Sequence, residues 1–210
     1  MRNSRRWAAL AGCVVSAVCV GVGAAAAPAS YAPCVACHGS RAEGNPALQA
    51  PAIAGQDAAY LKRQLVNFRS GVRGRHPKDT AGARMRSIAL GLQEDSTIDA
   101  LSVYIAALPR TTVPTSKTGD LRKGTAVYHG KCGACHGGRA EGNPALNAPR
   151  LAGLDAAYLE RQFAGFRDGL RGTDAPDRPG RQMALMAKTL ASDQELDDVI
   201  AFIHAQGAGQ

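Results

Sequence analysis

Cys34-Val35-Ala36-Cys37-His38 and Cys132-Gly133-Ala134-Cys135-His136 are the stretches of this sequence best equipped for chemistry. Two thiols three positions apart lie about one helical turn from each other, which suits thioether bonds to the two vinyl groups of one porphyrin. The histidine that follows directly sets an imidazole under the iron as proximal ligand. Other readings use the same cysteines. Two Cys-x-x-Cys pairs can hold a structural zinc ion, and a single pair can serve as a thioredoxin-like dithiol. Neither explains a histidine after both pairs, nor a second ligand downstream in each copy. The pattern points to two covalent haem c groups, bound through Cys34, Cys37, Cys132 and Cys135, with iron held by His38 and His136.

The sixth iron position separates electron transfer from ligand or peroxide chemistry. A His/Met pair suits electron carriers and raises the potential. Met85 follows His38 by 47 positions, and Met183 follows His136 by the same 47. Met186 competes for the second iron, but its counterpart in the first copy is Ile88, a packing residue, and methionine is a common gap-filler. The spacing therefore assigns Met85 and Met183. His76, His129 and His204 have no histidine at the matching place in the other copy, which favours structural or exposed roles. A proximal histidine usually donates its other ring N–H to an acceptor. Pro51 and Pro149 are candidate carbonyls for that bond, although an ordinary loop proline would look the same.

These residues recur because the chain repeats itself at an offset of 98 positions without a gap. About 29 of the 41 residues at 34–74 are identical to those at 132–172. A repeat this long, with a cofactor motif in each copy, is a duplicated small domain and not a solenoid unit. The expected organisation is a first domain at 28–108, a linker at 109–119 with two prolines and no apolar period, and a second domain at 120–210. Each domain is small enough for its apolar core to be marginal, so a bound porphyrin would complete it and the haem-free chain should fold poorly.

The elements that must position the motifs read as all-α. Asp57 caps a predicted helix bearing Tyr60, Leu61, Leu65 and Phe68, closed by Gly71. The stretch from Asp155 to Gly169 repeats it. Ser192 and Glu195 form a capping box for a helix with Leu196, Val199, Ile200 and Ile203 on one face. Ile98, Leu101 and Ile105 make the same face in the first copy. Gly44-Asn45-Pro46 and Gly142-Asn143-Pro144 mark loops. Asp120 to Lys131 suits a helix leading into Cys132, with Tyr128 able to meet the C-terminal helix. The first copy has too few residues before Cys34 to match it, so its first helix should be short or missing.

Residues 1–27 read as a cleaved secretory signal. Arg2, Arg5 and Arg6 precede an apolar run, and Ala25-Ala26-Ala27 fits a cleavage site better than Ser30-Tyr31-Ala32. An uncleaved anchor is the alternative, but the run is mostly Ala, Gly and Val. Leu10-Ala11-Gly12-Cys13 comes too early for a lipoprotein box. Ser4-Arg5-Arg6 hints at twin-arginine export, a route for folded proteins that fits poorly with haem attached after export. Cleavage removes Cys13 and Cys19, leaving only the motif cysteines. The net charge of +8 falls with the signal and further with the haem propionates, so no nucleic-acid partner is expected. Arg69, Arg73, Arg75, Lys78, Arg84 and Arg86 concentrate positive charge ahead of and around Met85. They read either as a docking face for an acidic redox partner or as a solvated face.

With these motifs in hand, residues 34 to about 205 resemble the dihaem cytochrome c4 family. The likeness lies in the paired Cys-x-x-Cys-His motifs and in Pro51-x-Ile53-Ala54-Gly55-Gln56 with its variant at 149–154. It extends to Tyr60-Leu61-x-x-Gln64-Leu65-x-x-Phe68-x-x-Gly71 with its copy, and to the Met85 and Met183 segments. Two departures are the shortened start of the first domain and Leu154 opposite Gln56. The resemblance implies two tandem class I cytochrome c domains face to face, with Pro51 and Pro149 accepting from the proximal histidines. It also implies a periplasmic, non-enzymatic carrier of single electrons towards a terminal oxidase. The donor would be a membrane quinol-oxidising complex or a dehydrogenase, and membrane association would come only through partners. A dihaem subunit of a larger dehydrogenase, such as a flavocytochrome, is the alternative. A dihaem peroxidase would need one haem without its methionine.

Overall fold

The computed structural model describes residues 26–113 and 118–207. The expected signal at 1–27 therefore lies outside the described residues except for Ala26 and Ala27, as do linker positions 114–117. The described chain is helical. The first copy holds α1 (Ala32–His38), α2 (Ala58–Ser70), α3 (Thr80–Ala89) and α4 (Asp95–Ala107). The second holds α5 (Leu121–Lys131), α6 (Gly133–His136), α7 (Ala156–Arg167), α8 (Arg178–Met186) and α9 (Asp193–Gly207). Among the described residues there is no strand, only the isolated bridges Asn45–Ala50 and Asn143–Ala148. None of these helices is long and apolar enough to cross a membrane.

The helix starts follow from short acidic side chains. Asp57 and Asp155 each accept the amide N–H three residues on, at 2.8 and 2.9 Å, satisfying a donor that the first turn leaves open. Gly71, with φ of +79°, ends α2 in a left-handed turn. The capping box of α9 forms with a shift. Ser192 Oγ accepts from Glu195 N–H at 3.2 Å, but the Glu195 carboxylate reaches back to Ala191 N–H, at 2.6 Å, and not to Ser192.

The apolar faces go inward as their spacing requires. Ile98, Leu101 and Ile105 of α4 are 3% exposed or less, and Leu196, Val199, Ile200 and Ile203 of α9 are buried too. Fully burying one such side chain contributes about 1.5–3 kcal/mol. Helix α5 packs closely against α9. Gly124 lets them approach, since a Cβ there would strike the backbone carbonyl of Asp198.

The first copy replaces α5 with a single 3-10 turn, Ala29–Tyr31, leading straight into α1. Tyr31 nevertheless does the work of Tyr128. Both are at most 1% exposed, and each hydroxyl donates to the carbonyl after the motif histidine, Gly39 or Gly137, at 2.8 Å. Tyr31 stacks edge-on against Tyr104, centroids 5.2 Å apart, and Tyr128 lies 4.5 Å from Phe202. The repeat pairs Tyr104 with Phe202 but sets Tyr31 one position out of step with Tyr128, so the offset alone hides the match.

Candidate cofactor site

Each Cys-x-x-Cys-His motif winds into a short helix that ends on its histidine. His38 and His136 are 8% and 7% exposed. Their Nδ1 atoms lie 2.9 Å from the carbonyl oxygens of Pro51 and Pro149. A carbonyl can only accept, so Nδ1 carries the proton and Nε2 keeps a free lone pair, which is the tautomer a metal ligand needs. Burial pushes both imidazoles down towards the neutral form, against a weaker opposite pull from the proline carbonyls. The candidate acceptors Pro51 and Pro149 thus stand where the histidines need them.

In the second copy these residues open onto a cavity of about 250 Å³, lined by Cys132, Cys135, His136, Pro149 and Met183. Apolar side chains from three helices complete it, among them Leu159, Phe163, Phe166, Leu196, Val199 and Ile200. Met183 is half-buried on α8, as Met85 is on α3. A helix at either place was not foreseen from sequence. Asp79 and Asp177 start them by accepting from Gly82 and Gly180 N–H at 2.8 and 3.0 Å. An added Cβ at either glycine would run into the capping carboxylate and displace it. Met186 also lines the cavity, one turn from Met183, so the lining does not separate them and the repeat register alone favours Met183. His76, His129 and His204 do not line this cavity. Cys132 is pushed up to about 11, mainly by burial. Among the described residues no three or more Cys, His, Asp or Glu side chains converge as a metal cluster, so the two cysteine pairs do not assemble a zinc site between them.

The cavity also reaches the first domain, through Pro51, Gln56, Tyr60, Arg63 and Gln64. There the two copies meet with near two-fold exchange, each giving the other the same kind of contact. Arg63 donates to Asn147 Oδ1 and to its carbonyl at 2.8 and 2.9 Å, and Arg161 donates to the Gln49 carbonyl at 3.0 Å. At the centre Arg73 donates to Gln64 and Gln162 Oε1, both at 2.7 Å. Arg171 donates to the same two oxygens, that of Gln162 at 2.7 Å and that of Gln64 at 2.9 Å. Each guanidinium lies over a ring of its own copy, Phe68 or Phe166, at 4.4 Å. Sequence reasoning missed Gln64 and Gln162. Their signal was a polar residue recurring at the repeat offset within an otherwise apolar helix face.

Two buried guanidiniums share neutral acceptors here, and the Nε of each has no partner. Burial and the Arg73 cation push Arg171 down, whereas for Arg73 burial is outweighed by the Tyr158 and Tyr60 phenols and Asp79, which push it up. Burial alone would raise the Tyr158 phenol, but Arg73, Arg171 and Arg161 outweigh it and hold that phenol below its ordinary value. Such a field calls for anions. An apolar cavity, a histidine with free Nε2, two adjacent thiols, a thioether side chain and unpaired buried cations together fit a haem with its two carboxylate arms.

The basic stretch around Met85 divides on folding: Arg73 is withdrawn into the interface, whereas Arg75, Lys78 and Arg84 stay exposed. Arg73 is 7% exposed and committed to the interface. Arg75 pairs across it with Asp174 at 3.3 Å. Arg69 holds Asp95 and two carbonyls, and Arg84 reaches Gln49. Arg69, Arg73, Arg75 and Arg84 thus have partners within the chain that one-dimensional charge counting cannot see.

The sequence model of the family described as Cytochrome c matches twice, over residues 24–109 and 121–206. A thiosulfate dehydrogenase electron acceptor from Thiomonas intermedia is 34% identical over 71% of this chain and 70% of its own length. Cytochrome c4 from Azotobacter vinelandii is 30% identical over 77% of this chain and 80% of its own. The crystal structure of reduced cytochrome c4 from Pseudomonas stutzeri superposes with a TM-score of 0.67 at 26% identity, covering 84% of this chain and 94% of that one.

Proposed function

The chain belongs to the cytochrome c family, as a dihaem protein of the cytochrome c4 type, and on that premise we propose a periplasmic carrier that passes single electrons between respiratory partners towards a terminal oxidase. It binds two covalently attached haem c groups and serves electron transfer, not catalysis. The observation that carries the reading is the pair of complete ligand sets, related by one offset, each with its histidine locked to a proline carbonyl at 2.9 Å.

Bound haem supplies reversible one-electron iron chemistry. The chain's own residues do the rest. Cys34, Cys37, Cys132 and Cys135 fix the porphyrins covalently. His38 and His136 present Nε2, and Pro51 and Pro149 hold each ring in that tautomer. Met85 and Met183 are the proposed sixth ligands, whose thioethers favour the reduced state. The apolar walls exclude water. Arg171, which lines the cavity, and Arg73 beside it would balance the carboxylate arms of a bound haem, and Arg63 and Arg161 hold the two copies together. The proposed domain limits are 28–108 and 120–210, joined by 109–119. Export by a signal ending near Ala27 is preferred over cleavage after Ala32, because the later cut would remove Tyr31, whose ring and hydroxyl are both used.

A second reading of the partner has its own support. A relative 34% identical carries the name of an electron acceptor for thiosulfate dehydrogenase, so a dehydrogenase could be the donor. Stopped-flow mixing of the reduced protein with a membrane oxidase, and of the oxidised protein with a candidate dehydrogenase, tests both partners. Rapid oxidation by the oxidase supports the first assignment. Absence of that reaction would remove the oxidase from it.

A further inference from the structure

Gln56 breaks the two-fold symmetry of the interface. It is buried, at 8% exposure, and belongs to the first domain, but its amide grips the second. Its Nε2 donates to the Arg150 carbonyl at 3.0 Å, and its Oε1 accepts from Arg150 N–H at 3.1 Å. The same oxygen accepts from Asp57 N–H, also at 3.1 Å, which fixes the side chain. Arg150 N–H and the Pro149 carbonyl are two ends of one peptide group. The Pro149 oxygen is the acceptor for His136 Nδ1, at 2.9 Å. A continuous path therefore runs from His136 Nδ1–H, through the 149–150 peptide, to Gln56. In the opposite direction Leu154 takes the place of Gln56 and Ala52 that of Arg150. All four line one small interface cavity, and a leucine side chain offers no acceptor.

We infer that Gln56 of the first domain is a positioning residue for the proximal histidine of the second haem, and lowers the potential of that haem alone. A hydrogen bond at a peptide N–H polarises the group and makes its carbonyl a better acceptor. A better acceptor draws the His136 Nδ1 proton, raises the donor strength of Nε2 and favours ferric iron. The first haem has the same His–Pro bond without this reinforcement. The interface therefore helps set the two potentials apart, beyond what the duplicated ligand sets do.

The inference rests on the dihaem reading, and mass spectrometry of the same sample separates the two. Fewer than two attached haems removes the reading itself. With two attached, NMR redox titration of the holoprotein follows each haem separately. In Gln56→Leu the oxidised-to-reduced ratio of the second haem at fixed potential should fall about threefold, or about 28 mV upward at 59 mV per decade. The first haem should not move, and only the His136 Nδ1–H resonance should shift upfield. Looser packing would instead wet the haems and lower potentials, the opposite sign. Gln56→Glu keeps an acceptor for Arg150 N–H, so it should lower the second potential more than the first, a test that stands even if the leucine variant does not fold. Equal shifts at both haems, or no shift at the second, would overturn the inference.

Discussion

Replacing Arg73 with methionine keeps most of the side chain's volume and removes its charge from the centre of the interface. The guanidinium makes two short bonds, to Gln64 and Gln162 at 2.7 Å each, and lies 4.4 Å from the centre of the Phe68 ring. Bonds to a charged group are worth about 1.5–3 kcal/mol each, and the ring contact adds about 1 kcal/mol. Two effects reduce that sum. Both glutamine oxygens keep a bond from Arg171, and the variant no longer dehydrates a cation. The expected net cost is about 2–3 kcal/mol, which at about 2–4 °C per kcal/mol lowers Tm by roughly 4–12 °C. The control is Arg75→Ala, which removes an exposed pair with Asp174 at 3.3 Å worth about 0–1 kcal/mol. Calorimetry on the haem-loaded proteins reads both. If Arg73→Met costs no more than Arg75→Ala, the buried-cation account of the interface is wrong.

Met85→Ala and Met183→Ala should each lower the potential of one haem and open that haem to carbon monoxide, read by spectroelectrochemistry and gas titration. Met186→Ala should do neither, and the reverse pattern would move the ligand by one turn. Tyr31→Phe and Tyr128→Phe should cost similar amounts, about 0.5–1.5 kcal/mol each, because each loses one hydroxyl bond of 2.8 Å; denaturant titration decides whether Tyr31 truly replaces its counterpart. Burial pushes the Tyr31 phenol up to about 12 and raises Tyr128 as well. Above the unfolded phenol value near 10, the unfolded chain sheds protons that the fold retains, so stability should fall as pH rises from about 10. The doubly substituted Tyr31→Phe, Tyr128→Phe protein should show a shallower fall.

The parts of the site fixed by local chemistry were legible in the sequence. Asp57 and Asp155 cap their helices because a short acid before an apolar period has little else to do there. The offset of 98 singled out Met85 and Met183 as a matched pair, since duplication carries equivalent residues along intact, and the structure sets both half-buried on equivalent helices. What stayed hidden was geometry between the copies. Arg73 reads as one charge among six, and only folding shows that α2 and α7 turn Gln64 and Gln162 towards it. Gln56 and Leu154 differ visibly, but the meaning of the difference depends on Arg150 lying across the interface. Tyr31 escaped because a 3-10 turn reaches the same place as a full helix with one residue fewer in the count. The helices carrying Met85 and Met183 were not foreseen because the role of Gly82 and Gly180, which make room for the capping carboxylates of Asp79 and Asp177, shows only in the fold.

Mass spectrometry of the mature chain, after acid and organic extraction, tests the central claim most directly. Two complete sets of Cys, Cys, His and Met require a mass increase of two haems that survives extraction, in a chain lacking residues 1–27. A chain carrying one haem, or none with zinc in its place, would contradict the account.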